Sequence, residues 1–139
     1  MARYFAYGSN LNPQQMQDRC DTTIEDRGAA RLDGYRLVFA GTSKNWREGG
    51  VATIVPNPGR SVAGRIYALA DEALARLDDF EGNYHRVEIE IAGETLWTYV
   101  RRSDQPRNAP CPEYLAHMAH AYGELGFELL ELLHALPSA

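Results

Sequence analysis

The segment 27–69 carries several strand patterns in succession, with no helix pattern between them. Two are short apolar runs, as buried strands show, and a third alternates apolar and polar side chains; they cover residues 36–40, 51–55 and 60–69. A polar, glycine-bearing loop at 41–50 and the turn-forming sequence Pro-Asn-Pro-Gly at 56–59 separate these runs. This block of strands excludes a regular alternation of strand and helix.

Helix patterns lie on both sides of this block. An aromatic strand at 3–7 leads through a Gly-Ser-Asn turn into a short helix from Pro13 to about Arg19, with Asn12 as its cap. Downstream, the spacing predicts a helix at 71–80, strands at 84–91 and 95–100, and helices at 112–122 and 127–136. The order predicts an α+β fold with mixed strand pairing. The length of 139 residues suits one domain spanning 1–139.

The helix predicted at 71–80 has an apolar stripe. Leu74, Leu77 and Phe80 recur at a spacing of three residues, so we expect all three to be buried. Gly82 follows the last turn, where a left-handed residue commonly ends a helix.

Charge and hydropathy exclude several classes of partner. The formal net charge is −5, which disfavours binding to nucleic acid or to an anionic membrane. No run approaches the ~18 apolar residues that a membrane-spanning helix requires. The first residues have no apolar core of a signal peptide, so we expect a cytoplasmic protein with free thiols at Cys20 and Cys111.

The first candidate site is the turn Tyr7-Gly8-Ser9-Asn10-Leu11. A strand that ends in such a turn before a capped helix presents several backbone N–H groups to one point, and these attract carboxylates or phosphates. Gly8 permits close approach of a ligand, while Ser9 and Asn10 add polar side chains. The alternative is an ordinary strand–helix turn.

The second candidate site is the acidic end of the helix at 71–80. Asp78, Asp79 and Glu81 lie where the helix dipole disfavours negative charge, so both the dipole and the neighbouring carboxylates should raise a local pKa. A carboxyl with a raised pKa can act as general acid and base near neutral pH, and Glu81, at the helix exit, is the best candidate. The alternative is three solvated, inert acids.

Tyrosines and histidines supply weaker signals. Tyrosine suits the wall of a pocket that holds a polar substrate, although core packing explains most tyrosines; the candidates are Tyr84, Tyr99, Tyr114 and Tyr122. His117 and His120 lie three residues apart on a predicted helix, but exposed histidines explain this better than a metal site. The sequence has no phosphate-loop or dinucleotide motif, so we expect neither metal nor cofactor.

Together these segments resemble the γ-glutamylcyclotransferase family. Tyr7 to Leu11, followed by Asn-Pro and a short helix, is similar to the family signature, and the segment 77–82 resembles its Leu-Asp-x-x-Glu-Gly. Residues 49–54 and 62–67 resemble two further family segments, and 111–115 resembles its Pro-Ser-x-x-Tyr helix start, with Pro-Glu shifted from the usual Pro-Ser. The resemblance covers residues 3 to about 122; the helix at 127–136 adds nothing to it.

The resemblance implies a small mixed β-barrel flanked by helices, and an enzyme that releases 5-oxoproline from a small γ-glutamyl substrate without metal, cofactor or hydrolytic water. Glu81 would be the general acid/base. Backbone N–H groups from Gly8 to Leu11 would hold the substrate's α-carboxylate or polarise its γ-carbonyl. Further contacts to the substrate are expected from Tyr7, Ser9, Asn10, Tyr84, Tyr99 and Tyr114. The leaving group would meet the loop at 41–50, with Lys44, Trp46 and Arg47, or residues 101–108.

Two other functions stay open from the sequence. The same fold could serve as a binding module that holds a γ-glutamyl or other carboxylate ligand without cleaving it. A different amide- or ester-processing enzyme could use Cys20 or Cys111 as nucleophile. The sequence leaves the leaving group and the oligomeric state open, a homodimer included.

Overall fold

Five strands and four α-helices make up the part of the chain that the computed structural model describes, residues 1–102 and 104–138. In chain order they are β1 Ala2–Ala6, α1 Pro13–Cys20, β2 Ile24–Ser43, β3 Gly49–Leu69, α2 Asp71–Phe80, β4 Tyr84–Ile91, β5 Glu94–Arg101, α3 Pro112–Leu125 and α4 Leu129–Leu133. Single turns of 3₁₀-helix lie at Ser9–Leu11 and Lys44–Trp46.

The strands form one sheet in the order β2-β3-β1-β5-β4. The β1–β5 pair is parallel and the other three pairs are antiparallel, so the mixed α+β prediction is confirmed. Across the described residues, the outer strands β2 and β4 do not hydrogen-bond to each other. The predicted barrel is therefore an open sheet flanked by helices.

The prediction of a turn at 56–59 is wrong, because these residues continue β3. Tyr35 pairs with Pro56 and Asp33 with Ser61, so the segment 57–60 lies opposite Gly34 in an irregular, bulged region. The turn-forming residues thus bend the strand instead of reversing it. The chain reverses at 44–48, within the loop predicted at 41–50, where Arg47 and Glu48 have φ of 55° and 59°.

Helix α2 has the predicted bounds but not the predicted stripe. Leu74 and Leu77 are 3% and 0% exposed, whereas Phe80 is 56% exposed. Phe80 is the last residue of the helix, and the Arg19 guanidinium covers its ring at 5.4 Å from the centroid. Gly82 does not have the expected positive φ, because the Glu81 N–H closes the helix end on the carbonyl of Asp78.

The C-terminal helices differ from the prediction in length. Helix α3 continues through Gly123 and ends where Gly126 takes a φ of 81°, as a left-handed residue after a helix does. Helix α4 covers Leu129–Leu133, half of the predicted range of 127–136. In the described part of the chain, no helix is long and apolar enough to cross a membrane.

Two hydrophobic clusters form the core. One joins β1, β2 and β3 to α3 and includes Tyr7 and Tyr114; the other joins β1 and β3 to α1 and α2 and includes Tyr4 and Tyr99. Tyr84 packs against both clusters. Tyr7 and Tyr114 of the first cluster and Tyr4 and Tyr99 of the second border a common cavity.

Candidate functional site

The turn after β1 is fixed by its own hydrogen bonds. Leu11 N donates to the carbonyl of Gly8 at 3.0 Å, and Asn12 N donates to that of Ser9 at 3.2 Å. The Asn12 side chain then caps α1 by accepting from Gln15 N at 2.9 Å. Within the described residues, the N–H groups of Gly8, Ser9 and Asn10 donate to no protein acceptor. Three backbone donors of the turn are thus left for a ligand.

This turn borders a cavity of about 130 Å³. Drug-sized ligands occupy pockets of roughly 300–1,000 Å³, so the volume suits a small polar group. Eight of the nine residues proposed for the site from the sequence line this cavity, namely Tyr7, Gly8, Ser9, Asn10, Glu81, Tyr84, Tyr99 and Tyr114.

Leu11 is the exception. Its side chain is fully buried in the core, and its N–H is already donated to Gly8. Its carbonyl accepts from Arg65 Nε at 3.0 Å, so the residue serves to anchor the turn to β3. Leu11 thus does not line the cavity, and its N–H is not free for a ligand.

Asn10 is the hydrogen-bonding centre of the site. It is 3% exposed, and its Nδ2 donates to Tyr4 Oη at 3.0 Å and to Glu81 Oε1 at 2.9 Å. Its Oδ1 accepts from Gln15 Nε2 at 3.0 Å and from Arg19 at 3.1 Å. The Asn10 amide thus donates two hydrogen bonds through its nitrogen and accepts two through its oxygen. These bonds fix the orientation of the amide and hence of the Glu81 carboxylate that it contacts.

Glu81 differs sharply from the other two acids of its cluster. Its side chain is 11% exposed, and its carboxylate lies 3.5 Å from the Arg19 guanidinium. Burial raises the pKa of Glu81, and Asp78 adds to the rise, while Arg19 and the hydrogen bond from Asn10 oppose it. The neighbouring carboxylate thus contributes as expected, but burial is the largest cause.

The other acids have separate surroundings. Asp78 accepts from Tyr99 Oη at 2.5 Å and from Arg86 Nε at 3.1 Å, and Asp79 is exposed. Neither lines the cavity. The three acids that are neighbours in the sequence therefore have different surroundings in the structure. Glu81 lines the cavity, whereas Asp78 and Asp79 do not.

The cavity tyrosines are held by hydrogen bonds of their own. Tyr99 donates to Asp78, Tyr7 to the carbonyl of Tyr99, and Tyr84 to the carbonyl of Ala52 at 2.7 Å. Tyr114 Oη accepts from Ala52 N at 3.0 Å, which leaves its own O–H free to donate. Burial raises the pKa of each of these phenols, so they remain neutral at physiological pH.

The metal and thiol alternatives gain no geometric support. His117 Nε2 lies 3.0 Å from the carbonyl of Ser9, while His120 is an exposed partner of Glu124. No cluster that could hold a metal occurs among the described residues.

Cys20 and Cys111 are free and buried, neither lines the cavity, and burial raises the pKa of the Cys20 thiol. A buried thiol with a raised pKa is a poor nucleophile.

Eleven residues that line the cavity were not assigned to the site from the sequence, among them Tyr4, Arg19, Trp46 and Arg101. The last two fall in segments expected near the leaving group, whereas Lys44 and Arg47 of the same loop do not line the cavity. Tyr4 lies in the aromatic strand that leads to the turn, which could have marked it. Nothing in the sequence distinguishes Arg19 from the other arginines, because its role depends on how α1 packs beside α2.

Comparison with known proteins agrees with these features. The family described as "Gamma-glutamyl cyclotransferase, AIG2-like" matches residues 4–117. The gamma-glutamylcyclotransferase of Bos taurus is 32% identical over 123 residues, which cover 80% of this chain and 64% of the relative. That of Homo sapiens is 35% identical with the same coverage. The chain therefore spans a little under two thirds of the length of these curated relatives.

Solved structures show the same fold. A structure named "Gamma-glutamyl cyclotransferase" superposes with a TM-score of 0.86 at 29% identity, covering 99% of this chain and 89% of the other. An AIG2-like protein from Mus musculus gives a TM-score of 0.61 at 25% identity, with 83% and 82% coverage. On the strength of the matched segment and of these relatives, the chain belongs to the gamma-glutamyl cyclotransferase, AIG2-like family.

Proposed function

We propose that this protein cyclises the γ-glutamyl group of a small substrate and releases 5-oxoproline together with an amine or amino acid. The observation that carries this proposal is Glu81, a buried carboxyl with a raised pKa that is held by Asn10 at the wall of a small cavity. A carboxylate with a raised pKa is a stronger proton acceptor than an exposed one, and the cyclisation needs one group that takes and returns a proton.

One protein group, the Glu81 carboxyl, is enough to carry the proton transfers of this reaction. The Glu81 carboxylate takes a proton from the α-ammonium of the substrate, and the freed amine attacks the γ-carbonyl carbon to close a five-membered ring. The new C–N bond forms as the carbonyl becomes an oxyanion. Glu81 then gives its proton to the leaving nitrogen, the oxyanion re-forms the carbonyl, and the bond to that nitrogen breaks. The ring nitrogen, which became cationic on attack, gives its second proton to the regenerated Glu81 carboxylate. Glu81 passes this proton to the departing amine, so 5-oxoproline leaves with a neutral lactam nitrogen and the amine leaves as an ammonium. General acid–base transfer of this kind contributes about 10²–10⁴-fold in rate.

The rest of the cavity would position the substrate. The free N–H groups of Gly8, Ser9 and Asn10 suit either the α-carboxylate or the developing oxyanion. Tyr114, with its O–H free to donate, suits a second polar contact. Holding amine and carbonyl in attack geometry can contribute roughly 7–11 kcal/mol, which is why no protein nucleophile, metal or cofactor is needed in this mechanism. We place the enzyme in the cytoplasm, where free thiols such as Cys20 and Cys111 stay reduced.

The experiment is a direct assay for 5-oxoproline. The purified protein is mixed with a panel of γ-glutamyl dipeptides and γ-glutamyl amines, and the product is measured by mass spectrometry. We expect turnover of at least one class and a loss of at least about 10²-fold in Glu81→Gln, which keeps the shape but not the proton exchange. Glu88→Gln, an exposed acid on β4, is the matched control.

Two outcomes would contradict the proposal: no product across the panel, or full activity in Glu81→Gln. If γ-glutamyl ligands raise the melting temperature of the wild-type protein without turnover, the chain is a binding module instead, because ligands that bind only the folded state stabilise it.

A further inference from the structure

Arg101 is a buried cation, and within the described residues it has no partner of opposite charge. The residue is 8% exposed and lines the site cavity. Among residues 1–102 and 104–138, no carboxylate lies within 4.0 Å of its guanidinium, and its Nε has no hydrogen-bond partner. Its contact with Gln105 Oε1 is long, at 3.4 Å. Burying a charge is costly unless it is paired, so this guanidinium is suited to an anion from outside the chain.

The surroundings of Arg101 hold the side chain in place. It ends β5, where its backbone N donates to Thr53 Oγ1 at 3.1 Å. Its guanidinium covers the ring of Tyr84 at 5.2 Å from the centroid. Gly41 has a φ of 68°, and a Cβ there would come within 2.6 Å of the Arg101 guanidinium. A glycine at this position therefore leaves the space that Arg101 occupies.

The charge of Arg101 acts on the site cavity. It lowers the pKa of Glu81, and it also acts on the phenols of Tyr7 and Tyr114, all of which line that cavity. Glu81 has its close contacts with the turn after β1 and with α1, through Asn10 and Arg19. Arg101 instead packs against Gly41, next to the β2–β3 hairpin. The cavity thus has its proton-transfer group on one wall and a free guanidinium on another.

We propose that Arg101 is a specificity-determining residue that binds a carboxylate on the leaving side of the substrate. The inference rests on the proposed cyclisation, in which the glutamyl part occupies the turn and Glu81 reaches the leaving nitrogen. A leaving group that points away from the turn then meets the β2–β3 hairpin, where Ser43, Asn45 and Trp46 also line the cavity. The guanidinium fork matches a carboxylate in two parallel hydrogen bonds. The substrate class is therefore a γ-glutamyl compound whose released amine carries a carboxylate.

Arg101 also borders a second cavity, of about 320 Å³, where Arg102 and Arg107 lie as well. Arg102 is exposed and paired with Asp104 at 3.2 Å. Replacing Arg102 therefore tests whether a carboxylate is bound in the second cavity instead.

The test compares γ-glutamyl-alanine with γ-glutamyl-ethylamine, which differ only in the carboxylate of the leaving amine. For each, kcat/KM is measured in the wild-type protein and in the Arg101→Met, Arg101→Lys and Arg102→Met variants. We expect the wild type to prefer the acid by about 10- to 100-fold, the size of one charge-assisted contact. Arg101→Met should reduce this ratio towards one, Arg101→Lys should give an intermediate ratio, and Arg102→Met should leave it unchanged.

Equal kcat/KM for both substrates in the wild type overturns the inference even if Arg101→Met fails to fold. A ratio that falls in Arg102→Met but not in Arg101→Met overturns it in favour of the second cavity. If neither substrate yields 5-oxoproline, the proposed function fails. The carboxylate contact of Arg101 is then tested by the binding of the two compounds alone. Greater thermal stabilisation by γ-glutamyl-alanine than by γ-glutamyl-ethylamine, reduced in Arg101→Lys and abolished in Arg101→Met, would then support it, and equal stabilisation would refute it.

Discussion

Asn10 Nδ2 donates to Glu81 Oε1 at 2.9 Å, which joins the turn after β1 to the end of α2. The two residues are 71 positions apart in the chain. The same amide also binds Tyr4, Gln15 and Arg19, so the carboxyl is held by a side chain that has no freedom to turn. The position and the acidity of Glu81 therefore depend on Asn10.

Removing this amide should change the pH profile as well as the rate. The hydrogen bond from Asn10 lowers the pKa of Glu81, so Asn10→Ala should raise that pKa further above its usual range. We expect kcat/KM to fall by about 10- to 100-fold, the worth of a hydrogen bond to a charged group, and its acid limb to move to higher pH. The measurement is kcat/KM against pH. Asn57→Ala, on β3, is the control, and an unshifted acid limb in Asn10→Ala would refute the role assigned to the amide.

The raised pKa of Glu81 should also make the site a source of instability. The folded protein binds the Glu81 proton more tightly than the unfolded chain does, so stability falls as pH rises from the unfolded value of about 4.3 through the folded pKa. Above the folded pKa the full penalty is present. We expect Glu81→Gln to have a higher free energy of unfolding than the wild type near neutral pH, with the difference shrinking as pH falls.

Urea unfolding at several pH values measures this difference. Glu88→Gln, where the carboxylate is exposed, is the control and should change the free energy of unfolding little at any pH. A Glu81→Gln protein that is less stable than the wild type near neutral pH would mean that the ion pair with Arg19 outweighs the burial of the carboxylate.

Sequence patterns among neighbouring residues predicted the helices and strands. How the site residues come together could be seen only in the folded structure. Asn12 before Pro13 fixes the start of α1, and the alternating residues of β4 are read directly from the sequence, because both depend on near neighbours. The Pro-Asn-Pro-Gly sequence failed as a turn, because its outcome depends on the pairing of β3 with β2.

The residues of the candidate site likewise fall into those that the sequence predicts and those that it does not. The motif from Tyr7 to Asn10 and the position of Glu81 could be found in the sequence. The contribution of Arg19 could not, and for Arg101 the sequence indicated only the segment 101–108. Both contributions arise from contacts across α1, β5 and the β2–β3 hairpin.

Helix α2 allows a test of whether burial in the structure, and not spacing in the sequence, determines how much a side chain contributes to the free energy of unfolding. Leu77 and Phe80 share the stripe in the sequence, but Leu77 is fully buried and Phe80 is 56% exposed. We expect Leu77→Ala to lower the free energy of unfolding by about 2–5 kcal/mol, since it leaves a cavity in the core. Phe80→Ala should cost less than about 1 kcal/mol, mainly its contact with Arg19. Equal losses in urea unfolding would contradict the exposure of Phe80.

Gly8 provides a test of the fit between the turn and α3. A Cβ at Gly8 would lie 3.1 Å from Tyr114 Oη and 3.4 Å from Ala52 Cβ, and the Gly8 φ of −110° is outside the left-handed region. The effect of Gly8→Ala should therefore come from displacement of the Tyr114 hydroxyl. We expect it to lower kcat/KM about tenfold, or about 1.4 kcal/mol. In a Tyr114→Phe background the same change should cost less, with a coupling energy of about 1 kcal/mol.

Gly123→Ala is the matched control, because a Cβ there meets nothing within 4 Å and Gly123 lies inside α3. It should leave kcat/KM unchanged and stabilise the helix by about 0.5–1 kcal/mol. If Gly8→Ala lowers kcat/KM equally in the wild-type and Tyr114→Phe backgrounds, the hydroxyl is not the group displaced, and Gly8 instead acts through direct contact with the substrate.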